Sequence, residues 1–257
     1  MKIYSWNMLF RNRELDRAFD FIAKSDFDIF CLQEVPETFL TRLKTLPCHI
    51  ASRIDVERLF VNGTIRNHVV ILSRHPIETQ SEIPFPEYWH LLPLRARFFV
   101  WLLRPFGFSK IRNRGGLYVD IATPAARVRV FNLHLILAQP AWRLTEFENA
   151  MLKRDPLRPT IVCGDFNILE KPHITLLNWM FGGRVSDVLL YNRERTRLTK
   201  RFVEHELVNA LAGGITHPLS QSQLDHILVS HSFSLQKADI LPDRIGSDHH
   251  PIRVEIE

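Results

Sequence analysis

Cysteine is scarce and carries no pattern. Cys31, Cys48 and Cys163 are odd in number and lack the C-x-x-C spacing of a metal motif, so nothing here resembles a disulfide framework. Cys31 and Cys163 stand inside the apolar runs DIFCLQ and TIVCGD, where a thiol acts as a small buried hydrophobe. A reducing, cytoplasmic setting is the expectation. Long unbroken apolar runs are missing too. The stretch over residues 91–108, LLPLRARFFVWLLRPFGF, is interrupted by Pro93, Arg95, Arg97, Arg104 and Pro105, which argues against a spanning helix. The opening MKIYSWNM has no apolar stretch of the secretory kind and reads as a strand. No Gly-, Ser- or Pro-rich linker divides the chain and no short repeat recurs, so one domain over 1–257 is expected. Segments at about 82–114 and 184–206 look like additions to its core.

What is present is ordinary for a globular protein with a sizeable core: 46% hydrophobic and 24% charged residues, which excludes a disordered chain. The net charge of +5 suits an anionic partner, nucleic acid or an acidic membrane surface, and names neither. No protein partner can be inferred, and a monomer is expected. Short β-rich runs recur: KIYSW, DIFCL, VVILS, GLYVDIA, VRVFNLHL, TIVCGDF, DHILVS and PIRVEIE. Between them, residues 15–23, 36–46 and 142–154 carry apolar residues at helical spacing. Interleaved strands and helices predict a mixed α/β layered domain.

The chemistry-bearing residues gather where apolar runs end. Asn7 follows KIYSW, Glu34 follows DIFCLQ, His134 lies in VFNLHL, Asp165 and Asn167 follow TIVCG, Asp225 opens DHILVS, and Asp248 with His249 precedes the last strand. Strand ends and their loops are where sites assemble in layered α/β proteins. Glu34 and Asp248 are hard oxygen donors of the kind Mg²⁺ or Mn²⁺ prefers. Asp165 could orient and deprotonate a water, Asn7 and Asn167 could offer amide donors to phosphate oxygens, and Asp225 is available to orient His249. Singly, each has a blander explanation as a turn cap or a solvated loop. Together, on successive strand ends, they read as a site.

Trp6-Asn7, Leu32-Gln33-Glu34-Val35, Gly164-Asp165-Phe166-Asn167, Leu224-Asp225-His226-Ile227 and Ser247-Asp248-His249-His250-Pro251 resemble, in order, the signatures of the endonuclease/exonuclease/phosphatase superfamily. VVILSRHP at 69–76 and Thr216-His217-Pro218 resemble two further elements of it. The resemblance implies a DNase I-like α/β (α+β) fold, a four-layer αββα sandwich of two packed mixed β-sheets flanked by helices. It implies a divalent-metal-dependent phosphoric ester hydrolase in which Glu34 binds the metal and Asp248 contributes near it. Asp165 would align the attacking water, Asn7 and Asn167 would contact the scissile phosphate, and Asp225 would hold His249. His134, where abasic-site endonucleases have a tyrosine, looks like the deoxyribonuclease, sphingomyelinase and phosphatase branches. Asn67 and His68, beside the central strand, are candidate phosphate contacts, as is Arg112.

The two added segments bear on the substrate. Residues 82–116 interleave aromatics with Arg95, Arg97, Arg104, Arg112 and Arg114, a mix that suits a nucleic-acid groove, a lipid interface or a helix packed on the domain with solvated arginines. YNRERTRLTKR at 191–201 reads as a backbone-phosphate grip or a solvated helix. The expectation is a nuclease acting on DNA or RNA. The alternatives are a membrane-associated phospholipid phosphodiesterase, reaching lipid through residues 91–108, and an inositol-phosphate-type phosphatase.

Overall fold

The computed structural model describes residues 1–60 and 63–257. In chain order the described elements are β1 (Lys2–Asn7), α1 (Leu15–Lys24), β2 (Ile29–Pro36), α2 (Glu37–Leu43), β3 (His49–Phe60), β4 (Gly63–Ser73) and β5 (Ile77–Pro84). They continue with α3 (Leu94–Leu102), β6 (Lys110–Arg112), β7 (Gly115–Ala122), β8 (Arg127–His134), α4 (Pro140–Met151) and β9 (Thr160–Asp165). The remainder are α5 (Pro172–Met180), α6 (Ser186–Leu189), α7 (Arg193–Glu204), β10 (Leu207–Asn209), β11 (Asp225–Ser230), β12 (Leu235–Ile240) and β13 (Ile252–Ile256).

The strands form two sheets, ordered β12-β13-β1-β2-β4-β3-β6 and β10-β11-β9-β8-β7-β5. Each is mixed, because β1–β2 and β8–β9 run parallel while the other pairs are antiparallel. Alternation along the strands builds the layers. Ile3, Ile29, Cys31, Val69 and Ile71 of the first sheet meet Val119, Val130, Ile161, Cys163 and Ile227 of the second in the central core. The opposite faces carry Tyr4, Trp6, Phe30 and Leu32 against α1 and α2, and Phe131, Leu133 and Leu228 against α4 and α7. This is the expected sandwich of two mixed sheets flanked by helices. All three cysteines are free, and no helix is long and apolar enough to cross a membrane among the described residues.

One asparagine sets the sheets against each other. Asn132, fully buried on β8, donates to the backbone carbonyls of Leu32 and Val70, both at 2.9 Å, and accepts from Gln33 Nε2 at 2.7 Å. The β2–β4 ladder slips between Leu32 and Val35, and Glu34 adopts a left-handed backbone with φ 56. Such a bulge re-aims a side chain. Glu34 thereby reaches the cavity between the sheet ends.

Gly164 on β9 admits no side chain. With φ +140, a Cβ there would lie 1.8 Å from the Leu133 carbonyl of the neighbouring strand. β3 escapes the apolar-run reading because Arg53, Asp55 and Glu57 occupy alternate positions of it, all buried.

Candidate active site

β8, β9 and β11 lie side by side, and their register puts three chemistry-bearing residues in one row. His134 pairs with Asp165 across the parallel β8–β9 ladder, and Asp225 pairs with Asp165 across β9–β11. Asp165 is buried between two imidazoles: Nε2 of His134 is 3.7 Å from its Oδ2 and Nε2 of His249 is 3.8 Å away. Each histidine is backed by a carboxylate. Asp55 Oδ2 lies 2.7 Å from His134 Nδ1, and Asp225 Oδ2 lies 2.8 Å from His249 Nδ1.

The first sheet supplies the rest. Asn7, at the end of β1, donates its amide to Asp165 Oδ2 at 3.0 Å, while the backbone N–H of Asn167 donates to Oδ1 at 2.8 Å. The loop before β13 is pinned to β1 by Ser247, whose hydroxyl donates to the Asn7 carbonyl at 2.7 Å and accepts the His249 N–H at 3.0 Å. Thr216 Oγ1 accepts the N–H groups of Leu224 and Asp225, both at 3.0 Å, which fixes the start of β11. The Asn167 side-chain amide donates to the Leu135 carbonyl at 2.9 Å.

Burial and charge work against each other in this cluster. Burial pushes the His249 pKa down, but the carboxylates of Asp225 and Asp165 outweigh it and hold the ring up at about 10. Burial likewise lowers His134, and Asp55, then Asp165 and Glu34, raise it to about 9. Asp165 is pushed up by burial and by the charge of Asp225, against the two histidines. Asp248 is penalised by burial, yet His217, 3.7 Å away, and the charge of His249 bring it down to about 2.

The carboxylates suit a hard divalent cation. Glu34 and Asp248 both line the cavity, and Asp248 Oδ1 is buried without a hydrogen-bond partner. Glu34 accepts the Phe10 N–H at 3.0 Å and faces the Arg58 guanidinium at 2.7 Å, so a cation already balances it. His217, Asp248 and His249 are also close enough together to share an ion. Asp165, Asp225 and His249 also lie close together, but their geometry is that of a hydrogen-bonded dyad facing a carboxylate.

Of the residues singled out from sequence, Asn7, Glu34, His134, Asp165, Asn167, Asp248, His249 and Arg112 line one cavity, with Asp225 behind His249. Asn67 and His68 do not: both are buried on β4 opposite Pro36 and Val35, outside the cavity wall, because the β2 bulge turns Glu34 rather than β4 toward it. Sequence reading missed Asp55, Arg58 and His217. The signal for Asp55 was the charged series Arg53, Asp55, Glu57 at period two, the mark of a strand face turned onto other polar groups. His226 packs flat on Phe166 at 4.6 Å, its pKa driven down by burial and by Arg195, and stays out of the cavity.

Two packed mixed sheets carry carboxylate–imidazole pairs at their shared edge. The chain belongs to the endonuclease/exonuclease/phosphatase family, a group of hydrolytic phosphoesterases that generally use divalent metals, and the family match spans residues 4–249. No curated protein sequence matches it. Among solved structures, an endonuclease/exonuclease/phosphatase from Beutenbergia cavernae is 16% identical with TM-score 0.67, covering 100% of this chain and 71% of its own. A family protein from Leptotrichia buccalis is 15% identical with TM-score 0.65, covering 100% and 99%. The 3′ phosphatase NExo from Neisseria, bound to a product DNA hairpin, is 19% identical with TM-score 0.62, covering 100% and 99%. At such identities the likeness shows the fold alone.

Proposed function

We propose that the chain hydrolyses a phosphate ester with an activated water, assisted by Mg²⁺ or Mn²⁺ held by Glu34 and Asp248. The observation that carries this reading is Asp165, buried between two carboxylate-backed imidazoles on the wall of an open cavity. Asp165, steadied by Asn7 and the Asn167 N–H, aligns the water and takes its proton as the oxygen attacks phosphorus; a carboxyl pKa raised by burial suits that exchange. His249 and His134, both held protonated, turn N–H groups toward the charge that grows on the phosphoryl oxygens. The metal, when bound, polarises the phosphoryl group and stabilises the departing oxygen.

A nucleic-acid substrate draws support from the net charge of +5 and from the DNA bound by the neisserial neighbour. The arginines of 191–201 add only part of their charge to it, because two of the four are engaged within the protein. Arg195 meets Glu170 at 2.7 Å and Arg201 meets Glu148 at 2.6 Å.

The test is turnover of bis-p-nitrophenyl phosphate, single-stranded and duplex DNA, RNA and a phospholipid with Mg²⁺, Mn²⁺ or a chelator. Asp165→Ala and His249→Ala serve as controls. Metal-dependent turnover of any ester, lost in both variants, is the expected result. Turnover that survives Asp165→Ala, or none with any ester and metal, overturns the proposal.

A further inference from the structure

The helix α3 buries Ala96 and Val100 and turns a second apolar stripe to water. Leu94, Phe98, Trp101 and Leu102 recur at i, i+4, i+7 and i+8 and are 81%, 54%, 57% and 49% exposed. The arginines turn back instead. Arg95 donates to the carbonyls of Trp179 at 3.3 Å and Gly183 at 2.7 Å, and Arg97 to that of His90 at 3.1 Å. A soluble helix ordinarily turns its apolar stripe to the core and its charges to water. Leu91, 67% exposed, adds a further apolar side chain just ahead of the helix. A contiguous exposed apolar face of this kind marks an interaction surface.

The segment is also charged with one sign. Between Tyr88 and Arg112 stand Arg95, Arg97, Arg104, Lys110 and Arg112, with no Asp or Glu. Its inner side meets the catalytic centre. Tyr88, Trp89, Leu92, Val100 and Phe108 line the cavity of about 480 Å³ whose wall also holds His134, Asp165 and His249. Leu137, Ile174, Leu177 and Phe181 complete its apolar side. Most of this wall is apolar and Arg112 on it is already paired with Glu57, so successive phosphates of a nucleic acid would find few partners along it. A hydrocarbon chain fills the same space with net gain.

We propose that the cavity takes the apolar chain of an amphiphilic phosphate ester, and that the outer face of residues 88–112 docks the protein on an anionic lipid surface from which that ester is drawn. The occupant of the exposed stripe is therefore lipid, with aromatic and aliphatic side chains in the interface and Arg97, Arg104 and Lys110 at headgroup level. This deepens the phosphoesterase reading of the site and rests on it.

Two measurements test it. The first is sedimentation of the protein with vesicles of equimolar phosphatidylcholine and phosphatidylglycerol, against vesicles of phosphatidylcholine alone. Binding to the anionic vesicles is expected, falling about tenfold for each of Phe98→Ser and Trp101→Ser. The second is hydrolysis of monomeric alkyl p-nitrophenyl phosphates, water adding to phosphorus and p-nitrophenolate leaving. Here kcat/KM should rise about fourfold per methylene until the cavity is filled, and the two serine variants should match the unaltered protein. Vesicle binding without turnover of any ester overturns the phosphoesterase reading and leaves the docking surface standing. Turnover with a flat chain-length series and no vesicle binding overturns this inference and leaves the phosphoesterase reading standing. Binding of DNA in place of vesicles, reduced by the same serine variants, overturns it in favour of a nucleic-acid interface.

Discussion

Asp55→Asn removes one charge from the Asp55–His134–Asp165 series and leaves the side-chain shape unchanged. His134 is buried, and burial alone would take its pKa below the ordinary 6.5; Asp55, through its charge and its 2.7 Å hydrogen bond, is the chief reason it stands at about 9. The gap between 6.5 and about 9 corresponds to about 3 kcal/mol of interaction with the protonated ring. Without Asp55 the ring should titrate at or below its ordinary value. The sign of the stability effect follows. A ring whose pKa is raised by folding contributes in full below 6.5, and the contribution is lost as pH climbs through about 9. Asp55→Asn should therefore cost about 3 kcal/mol at mildly acidic pH, a cost that shrinks through the interval from 6.5 to about 9. Heteronuclear NMR of the His134 ring reads the pKa, and urea unfolding at either end of that interval reads the stability. A ring in the variant that still titrates near 9, or a cost equal at both ends, would refute the reasoning.

Asp165→Asn should lower kcat on any substrate that turns over by about 10³-fold. The melting temperature should hold or rise, because burial already disfavours the carboxylate there; steady-state kinetics and calorimetry on one preparation check both. Arg143 is fully buried, with Glu194 at 2.5 Å and the Asn178 amide oxygen at 2.8 Å. Arg143→Met strands Glu194 and should cost about 3–5 kcal/mol, lowering the melting temperature by roughly 10 °C; Arg143→Met with Glu194→Gln should recover part of it. Gly164→Ala forces a Cβ onto the Leu133 carbonyl and should leave protein without a cooperative melt, as read by circular dichroism.

The site was legible where chemistry fixes a residue type at a strand end. Asn7, Asp165, Asp225 and His249 each close or open an apolar run, and the β8–β9–β11 register carries that order into space. The helices near 15–23 and 142–154 followed from apolar spacing, with α4 beginning two residues earlier at Pro140. Asp55 was not legible as a partner of His134, because the two stand 79 residues apart and only the packing of β3 against the second sheet joins them. Arg58 was hidden for the same reason, facing Glu34 from a strand two places away in the sheet. Asn67 and His68 misled because their place beside Glu34 in the ladder is real, and only the bulge separates them from the cavity.

The basic segments show why charge read along a chain is a poor guide to its partner. YNRERTRLTKR folds largely as α7, which buries Leu198 and Phe202 and pairs part of its charge with acids while Arg193 and Arg197 stand exposed. Arg195 takes Glu170, Arg201 takes Glu148 and Glu204, and Lys200 lies 3.8 Å from Glu204. Arg112 takes Glu57 and Arg114 takes Glu146 in the same way. Glu148 and Glu170 lie far from α7 in sequence, so their pairing with it cannot be read there. A grip on nucleic acid made of these arginines would first have to break internal ion pairs. Duplex DNA should therefore bind weakly, with a shallow dependence of log K on log salt. Glu148→Gln with Glu170→Gln frees Arg195 of its ion pair, leaves Arg201 on Glu204 alone, and should steepen that slope by about one. A slope in the unaltered protein of about five or more, unmoved by the double substitution, would show that other cations reach the phosphates. The nucleic-acid reading would then regain the ground that these ion pairs take from it.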